Sequence, residues 1–179
     1  SFEPYAMNGL AKVTTPEGFI GWVDRNGKEI VPVINTEVGE WTEDGLNWIK
    51  QGELYGWIDV NGDFLTKVIY NAIWPFEANN LAKVQLGEEF NWITKEGKTI
   101  SKKGFTEVGE WTEQGLVWIK QEGKYGMINT EGKKVVKTKY DTLSPFNEYG
   151  VAKVSIADKW GWINLEGKEV VKVNNLQAW

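Results

Sequence analysis

Two stretches of the chain, residues 38–51 (VGEWTEDGLNWIKQ) and 108–121 (VGEWTEQGLVWIKQ), gather the residue types with most to offer a ligand. Each brings two carboxylates, Glu40 with Glu43 and Glu110 with Glu113, and two indoles, Trp41 with Trp48 and Trp111 with Trp118. Carboxylates held roughly 5–10 Å apart can hydrolyse a glycosidic bond. An exposed indole can carry the face of a sugar or a peptide. Duplication argues against the first chemistry, because catalysis needs one asymmetric constellation with shifted pKa values. Glu-Trp-Thr-Glu therefore reads as a charged lead-in to a strand. Residues 59–63 (DVNGD) superficially resemble a calcium loop but lack its glycine spacing and terminal bidentate glutamate, and read as a hairpin turn. The chain has no cysteine and no histidine. That removes disulfides, thiolate nucleophiles, Ser-His-Asp triads and nearly all zinc and transition-metal sites. No catalytic residue, metal or cofactor is expected, and the chain is read as a binding protein.

The elements that must position these residues show in the spacing. The pairs Gly21-Trp22, Gly56-Trp57, Asn91-Trp92, Gly126-Met127 and Gly161-Trp162 follow one another at steps of 35 residues. The turn pairs Asn26-Gly27, Asn61-Gly62, Glu96-Gly97, Glu131-Gly132 and Glu166-Gly167 keep the same step of 35. Each unit reads as three short strands with alternating or β-branched residues, and no segment sustains a helical period. The expectation is an all-β chain, a single repeat domain over residues 1–179 with units at about 1–38, 39–73, 74–108, 109–143 and 144–179. The Asn-Gly pairs predict type I′ turns, and the Glu-Gly pairs a type I turn with the glycine in a G1 bulge.

The units alternate in type. The second and fourth carry Glu40-Trp41 and Glu110-Trp111, where the others carry Pro4-Tyr5, Pro75-Phe76 and Pro145-Phe146. An alternating series of five cannot close without setting like units side by side, which favours an open β-repeat array over a five-bladed β-propeller. Three positions never accept a polar residue and read as core between repeats: Trp22, Trp57, Trp92, Met127 and Trp162; Tyr5, Trp41, Phe76, Trp111 and Phe146; and Ile20, Tyr55, Phe90, Tyr125 and Trp160. A fourth reads Lys12, Trp48, Lys83, Trp118, Lys153. Its tolerance of lysine predicts exposure, making Trp48 and Trp118 candidate surface rings, either flanked by lysine stems such as Lys83 in a cation–π ladder or open to a ligand. Trp74 joins them, since Glu3, Gly39, Gly109 and Ser144 hold its place in other units.

Residues 150–171 (GVAKVSIADKWGWINLEGKEVV), 55–65 (YGWIDVNGDFL) and 140–146 (YDTLSPF) resemble the WG-repeat, or KWG, proteins of bacteria. The resemblance covers all five units, with Asn91 and Met127 departing from the signature pair. It implies an extended β-repeat architecture with no established catalytic activity, commonly on exported or surface-associated proteins. A net charge of −5 with scattered basic residues leaves no patch for nucleic acid. No run of eighteen apolar residues predicts membrane insertion, and residues 1–10 show neither part of a signal peptide. A surface for a protein partner is the favoured reading. A carbohydrate-binding module using Trp48, Trp118 and Trp74 is the alternative.

Overall fold

The structure is a computed structural model and describes residues 9–175. Its described residues form strands and turns without a helix, in five antiparallel sheets that follow the sequence in tandem. The first joins β1 (Ala11–Thr14), β2 (Ile20–Val23) and β3 (Glu29–Asn35). The second joins β4 (Glu37–Val38), β5 (Leu46–Gln51) and β6 (Leu54–Asp59), and the third β7 (Ala72–Phe76), β8 (Ala82–Leu86) and β9 (Glu89–Ile93). The fourth runs β10 (Glu107–Val108), β11 (Leu116–Gln121), β12 (Lys124–Asn129), β13 (Lys134–Tyr140). The fifth runs β14 (Thr142–Leu143), β15 (Val151–Ile156), β16 (Lys159–Asn164), β17 (Glu169–Asn175). No sheet closes into a barrel, and the chain is an all-β repeat array. Two compact units divide it, Ser1–Gly87 with Ile93–Thr99 and Glu88–Trp92 with Ile100–Trp179. No helix among the described residues is long and apolar enough to cross a membrane.

Two kinds of glycine build the repeat. The glycine of the Gly-Trp pair lets the third strand press against the second: a Cβ on Gly21, Gly126 or Gly161 would lie 2.5, 2.7 or 2.6 Å from the carbonyl oxygen of Val31, Val136 or Val171. The register shifts beside these contacts, as a β-bulge requires. In the third repeat Asn91 stands there and its Nδ2 donates instead to the Ser101 carbonyl at 2.8 Å. The turn glycine joins one repeat to the one before it. A Cβ on Gly62 would meet the Ile30 carbonyl oxygen at 2.1 Å, on Gly97 that of Leu65 at 2.0 Å, on Gly132 that of Ile100 at 1.9 Å and on Gly167 that of Val135 at 2.3 Å. Gly27, in the first repeat, meets nothing within 4 Å.

The turn itself differs from expectation at Asn26-Gly27 and Asn61-Gly62. Neither asparagine has positive φ, whereas both glycines do, so these are not type I′ turns. They share the G1-bulge form of the Glu-Gly turns. Asp24 explains why: its Oδ1 accepts from the Asn26 and Lys28 amides, and Asp59 does the same for Asn61 and Asp63, fixing the turn one residue earlier. Asn129 and Asn164 hold the same post in their repeats. Residues 59–63 are thus a side-chain-capped turn. Positive φ at two successive residues occurs instead at Glu122 and Gly123, in the loop between β11 and β12.

The core is the Gly-Trp position. Trp22, Trp57, Trp92 and Met127 are buried, and Trp162 of the last repeat is half-buried. The second aromatic set sits on the following repeat and meets the first edge-on: Trp22 with Trp41 at 5.2 Å, Trp57 with Phe76 at 4.8 Å, Trp92 with Trp111 at 5.0 Å between ring centroids. Such pairs add about 0.5–1.5 kcal/mol beyond burial of the rings. The described members of this set and the third set (Ile20, Tyr55, Phe90, Tyr125, Trp160) are only half-buried, a correction to the expectation of core throughout. Tyr5 lies outside the described residues.

Candidate functional site

Trp48 stands directly opposite Trp57 across the β5–β6 pair, and Trp118 opposite Met127 across β11–β12. Neither is the freely exposed ring that lysine at the equivalent positions suggests. Both are half-buried, pack against core clusters, and meet a tyrosine of the next strand: Trp48 with Tyr55 at 5.7 Å and Trp118 with Tyr125 at 5.8 Å. The reason lies nine residues upstream. A Cβ on Gly39 would fall 2.2 Å from Trp48 Nε1 and 2.5 and 2.6 Å from the two ring carbons bonded to it. That near-equality puts the glycine above the face of the pyrrole ring. Gly109 lies under Trp118 in the same way, at 2.0, 2.3 and 2.5 Å. The missing side chain makes room for the indole to lie flat on the neighbouring strand.

The third and fifth repeats solve the same joint differently. Where Gly39 and Gly109 stand, they have Trp74 and Ser144; where Trp48 and Trp118 stand, they have Lys83 and Lys153. Lys83 places its ammonium 4.6 Å from the Trp74 ring centroid. Lys153 instead covers Trp160 at 4.3 Å, and its amide donates to Ser144 Oγ at 2.8 Å. These two cation–π contacts each lie within one repeat. The structure does bring Trp48 and Trp74 together. With Tyr55, Ile73 and Pro75 they line a hollow of about 260 Å³, with no charged residue in its wall.

The corresponding place after the fourth repeat is a groove of about 800 Å³. Trp118 and Met127 line it from the fourth repeat and Leu143, Ser144, Phe146 and Tyr149 from the fifth. Two residue differences open it. Met127 replaces the tryptophan that meets Phe76 in the second repeat, and Ser144 replaces the bulk of Trp74. Phe146 is left without an aromatic partner among the described residues. The outer wall is a rigid turn. Asn147 Oδ1 accepts from the Tyr149 and Val151 amides at 3.0 and 3.2 Å, Gly150 takes positive φ, and Tyr149 is presented 79% exposed. Glu110 and Glu148 also line the groove, and no lysine or arginine does among the described residues. At the far end of β15 from this turn, Lys124 pairs with Asp141, which also accepts from the Ala157 amide at 2.6 Å. The Lys124 ammonium, with that amide second, holds the Asp141 carboxyl below its ordinary value.

Trp118 is thus the one predicted ligand-contact residue that lines the larger groove. Trp48 and Trp74 line the smaller hollow, and Lys83 lies over the Trp74 ring. Sequence reasoning misses Met127, Ser144, Phe146, Glu148 and Tyr149 as contact residues. A signal for one of them is present, since Met127 alone stands where the other repeats have tryptophan. Among the described residues no group of three or more carboxylates could hold a metal ion.

Comparison with known proteins adds the family. No curated protein matches the sequence. Among solved structures the chain is similar to Kluyveromyces lactis Hsv2 (14% identity, 91% of this chain and 59% of that one, TM-score 0.38). It is also similar to a eukaryotic initiation factor (12%, 97% and 53%, TM-score 0.42) and to the extracellular domain of BT4673 from B. thetaiotaomicron (13%, 96% and 29%, TM-score 0.36). The chain spans less than two thirds of the length of each. The WG containing repeat matches in four tandem copies, at residues 20–55, 55–90, 92–125 and 125–160. Those copies take in Trp22, Trp57, Trp92 and Met127, the turns of the first four repeats and the glycine-covered indoles Trp48 and Trp118, and the chain belongs to the WG containing repeat family.

Proposed function

We propose that the chain is a non-enzymatic binding module that holds a protein partner in the groove between its fourth and fifth repeats. The observation that carries this reading is the opening of that one joint. At each of the three preceding joints a ring from one repeat meets a ring from the next, whereas the fourth lacks that pair and offers about 800 Å³ lined by Trp118, Phe146 and Tyr149. A concave, largely apolar site with a few polar groups at its edge is the usual form of a binding site. Its walls are preorganised, with one face of Trp118 fixed on Gly109 and Tyr149 carried on a capped turn, so little ordering is required on binding. Catalysis has no comparable support, since the carboxylates Glu40 and Glu43 are repeated as Glu110 and Glu113 in an equivalent unit and form no single asymmetric constellation. A carbohydrate platform on Trp74 is weakened by the Lys83 ammonium over its ring.

The test is selection of displayed peptides on the whole chain, followed by screening against Ser144→Trp. That substitution recreates the third-repeat combination of tryptophan with lysine in the paired position, because Lys153 is already present. It should fold while filling the groove. Selected peptides that lose binding to Ser144→Trp support the reading. Peptides indifferent to it would place partner binding elsewhere.

A further inference from the structure

The preceding joints indicate what the open one lacks. Three times the Gly-Trp residue of one repeat meets an aromatic ring of the next at 4.8–5.2 Å, edge to face. At the fourth joint the receiving ring, Phe146, is in place, but the donor is Met127 and the neighbouring bulk of Trp74 has become Ser144. The groove therefore has the space and the lining to accept a planar ring from outside the chain. Its charge is one-sided, with Glu110 and Glu148 in the wall and no base among the described lining residues. Glu148 lies on the same rigid turn as Tyr149, at the solvent edge, where a cation beside the inserted ring would meet it.

We infer that the groove receives an aromatic side chain flanked by a basic residue, presented on an extended segment of the protein partner. This rests on the groove being the partner site. The ring stacks against Phe146 and Trp118 in place of the absent tryptophan, and the flanking ammonium or guanidinium lies against Glu148. An anionic segment is disfavoured because the wall holds no cation to meet it. A neutral segment gains the ring contact but leaves the Glu148 carboxylate unused.

Blocked tripeptides test this on the whole chain by calorimetry: lysine-tryptophan-lysine, lysine-alanine-lysine and glutamate-tryptophan-glutamate. The first should bind at least about tenfold more tightly than either of the others, a difference of about 1.4 kcal/mol. Glu148→Lys should remove or invert the preference between the lysine and glutamate peptides. Ser144→Trp and, independently, Met127→Trp should abolish binding of the first, with circular dichroism and the melting transition retained. Two variants that fill the space from opposite walls guard against a local folding defect in one of them. Equal binding of the lysine and glutamate peptides, or binding that survives both filling substitutions, overturns the inference. So does a neutral cello-oligosaccharide that binds and is blocked by Ser144→Trp where the lysine-tryptophan-lysine peptide fails. Display-selected peptides that need the open groove but carry no aromatic-basic pattern would leave the groove as the partner site and defeat only the occupant named here.

Discussion

Asn47 and Val117 occupy the same position in the two near-identical stretches, and the difference between them is a ready-made experiment. Asn47 is fully buried; its Nδ2 donates to the Gly39 carbonyl at 3.1 Å, while its Oδ1 is buried without a partner. Val117 is equally buried and has no polar side-chain atom to satisfy. An unpaired buried acceptor costs about 1–3 kcal/mol, and the lost amide donor returns part of that. Asn47→Val should therefore stabilise by about 1 kcal/mol and raise Tm by about 2–4 °C, readable by differential scanning calorimetry. Asp141 gives a prediction in pH. Because Lys124 and the Ala157 amide depress its pKa below 3.8, its contribution is present above that value and lost as pH falls through the depressed one. Asp141→Asn keeps the amide acceptor, as Asn71 does for Gly87 in the third repeat, and loses the ion pair. Its Tm should lie below that of the parent at neutral pH, with the gap closing below about pH 4. At this scale the sequence is legible for the buried tryptophans and misleading for Trp48 and Trp118. Lysine at a position suggests exposure, but glycine at a second position gives the indole a place to lie that no single repeat position reveals.

The strand-turn unit is legible in its period, because each turn and each Gly-Trp pair recurs at the same offset. The turn geometry is not, because Asn-Gly carries two local preferences and the aspartate two residues earlier decides between them. The glycine of that turn has a second duty, invisible in one repeat alone: it lets the carbonyl of the previous repeat approach. Gly97→Ala would set a Cβ 2.0 Å from the Leu65 carbonyl oxygen, whereas Gly27→Ala meets open space; both have positive φ. The backbone penalty common to both is about 1–2 kcal/mol. Gly27→Ala should show only that, and Gly97→Ala should be at least about 2 kcal/mol worse, as expected when repeats are forced apart. Equal losses in urea titrations would mean that the turn conformation alone explains the glycine.

Over the whole chain, the alternation of two repeat types and the all-β array are both legible in the residue spacing. The groove is not, because it arises from residues on different strands of consecutive repeats. Met127 must be compared with Phe146, and Ser144 with Trp118, and those pairings are known only once the joints are placed. By sequence alone Met127 reads as a gap-filler in the core, which it is; that it also leaves a ring without its partner follows from the fourth joint. The array thus spends its aromatic residues on holding repeats together and leaves one joint incomplete. A near-regular scaffold with a single irregular joint is a natural way to make one site from five similar parts.

Whether the open joint is the partner site is tested most directly by oxidative footprinting of the whole chain, read residue by residue by mass spectrometry, with and without a display-selected peptide. Tyr149 should label rapidly and Trp118 appreciably, with little labelling at Trp57 and Trp92, and a bound peptide should protect both groove residues. Labelling of Tyr149 and Trp118 that is unchanged by a bound peptide would contradict this, because the partner would then sit somewhere other than the open joint.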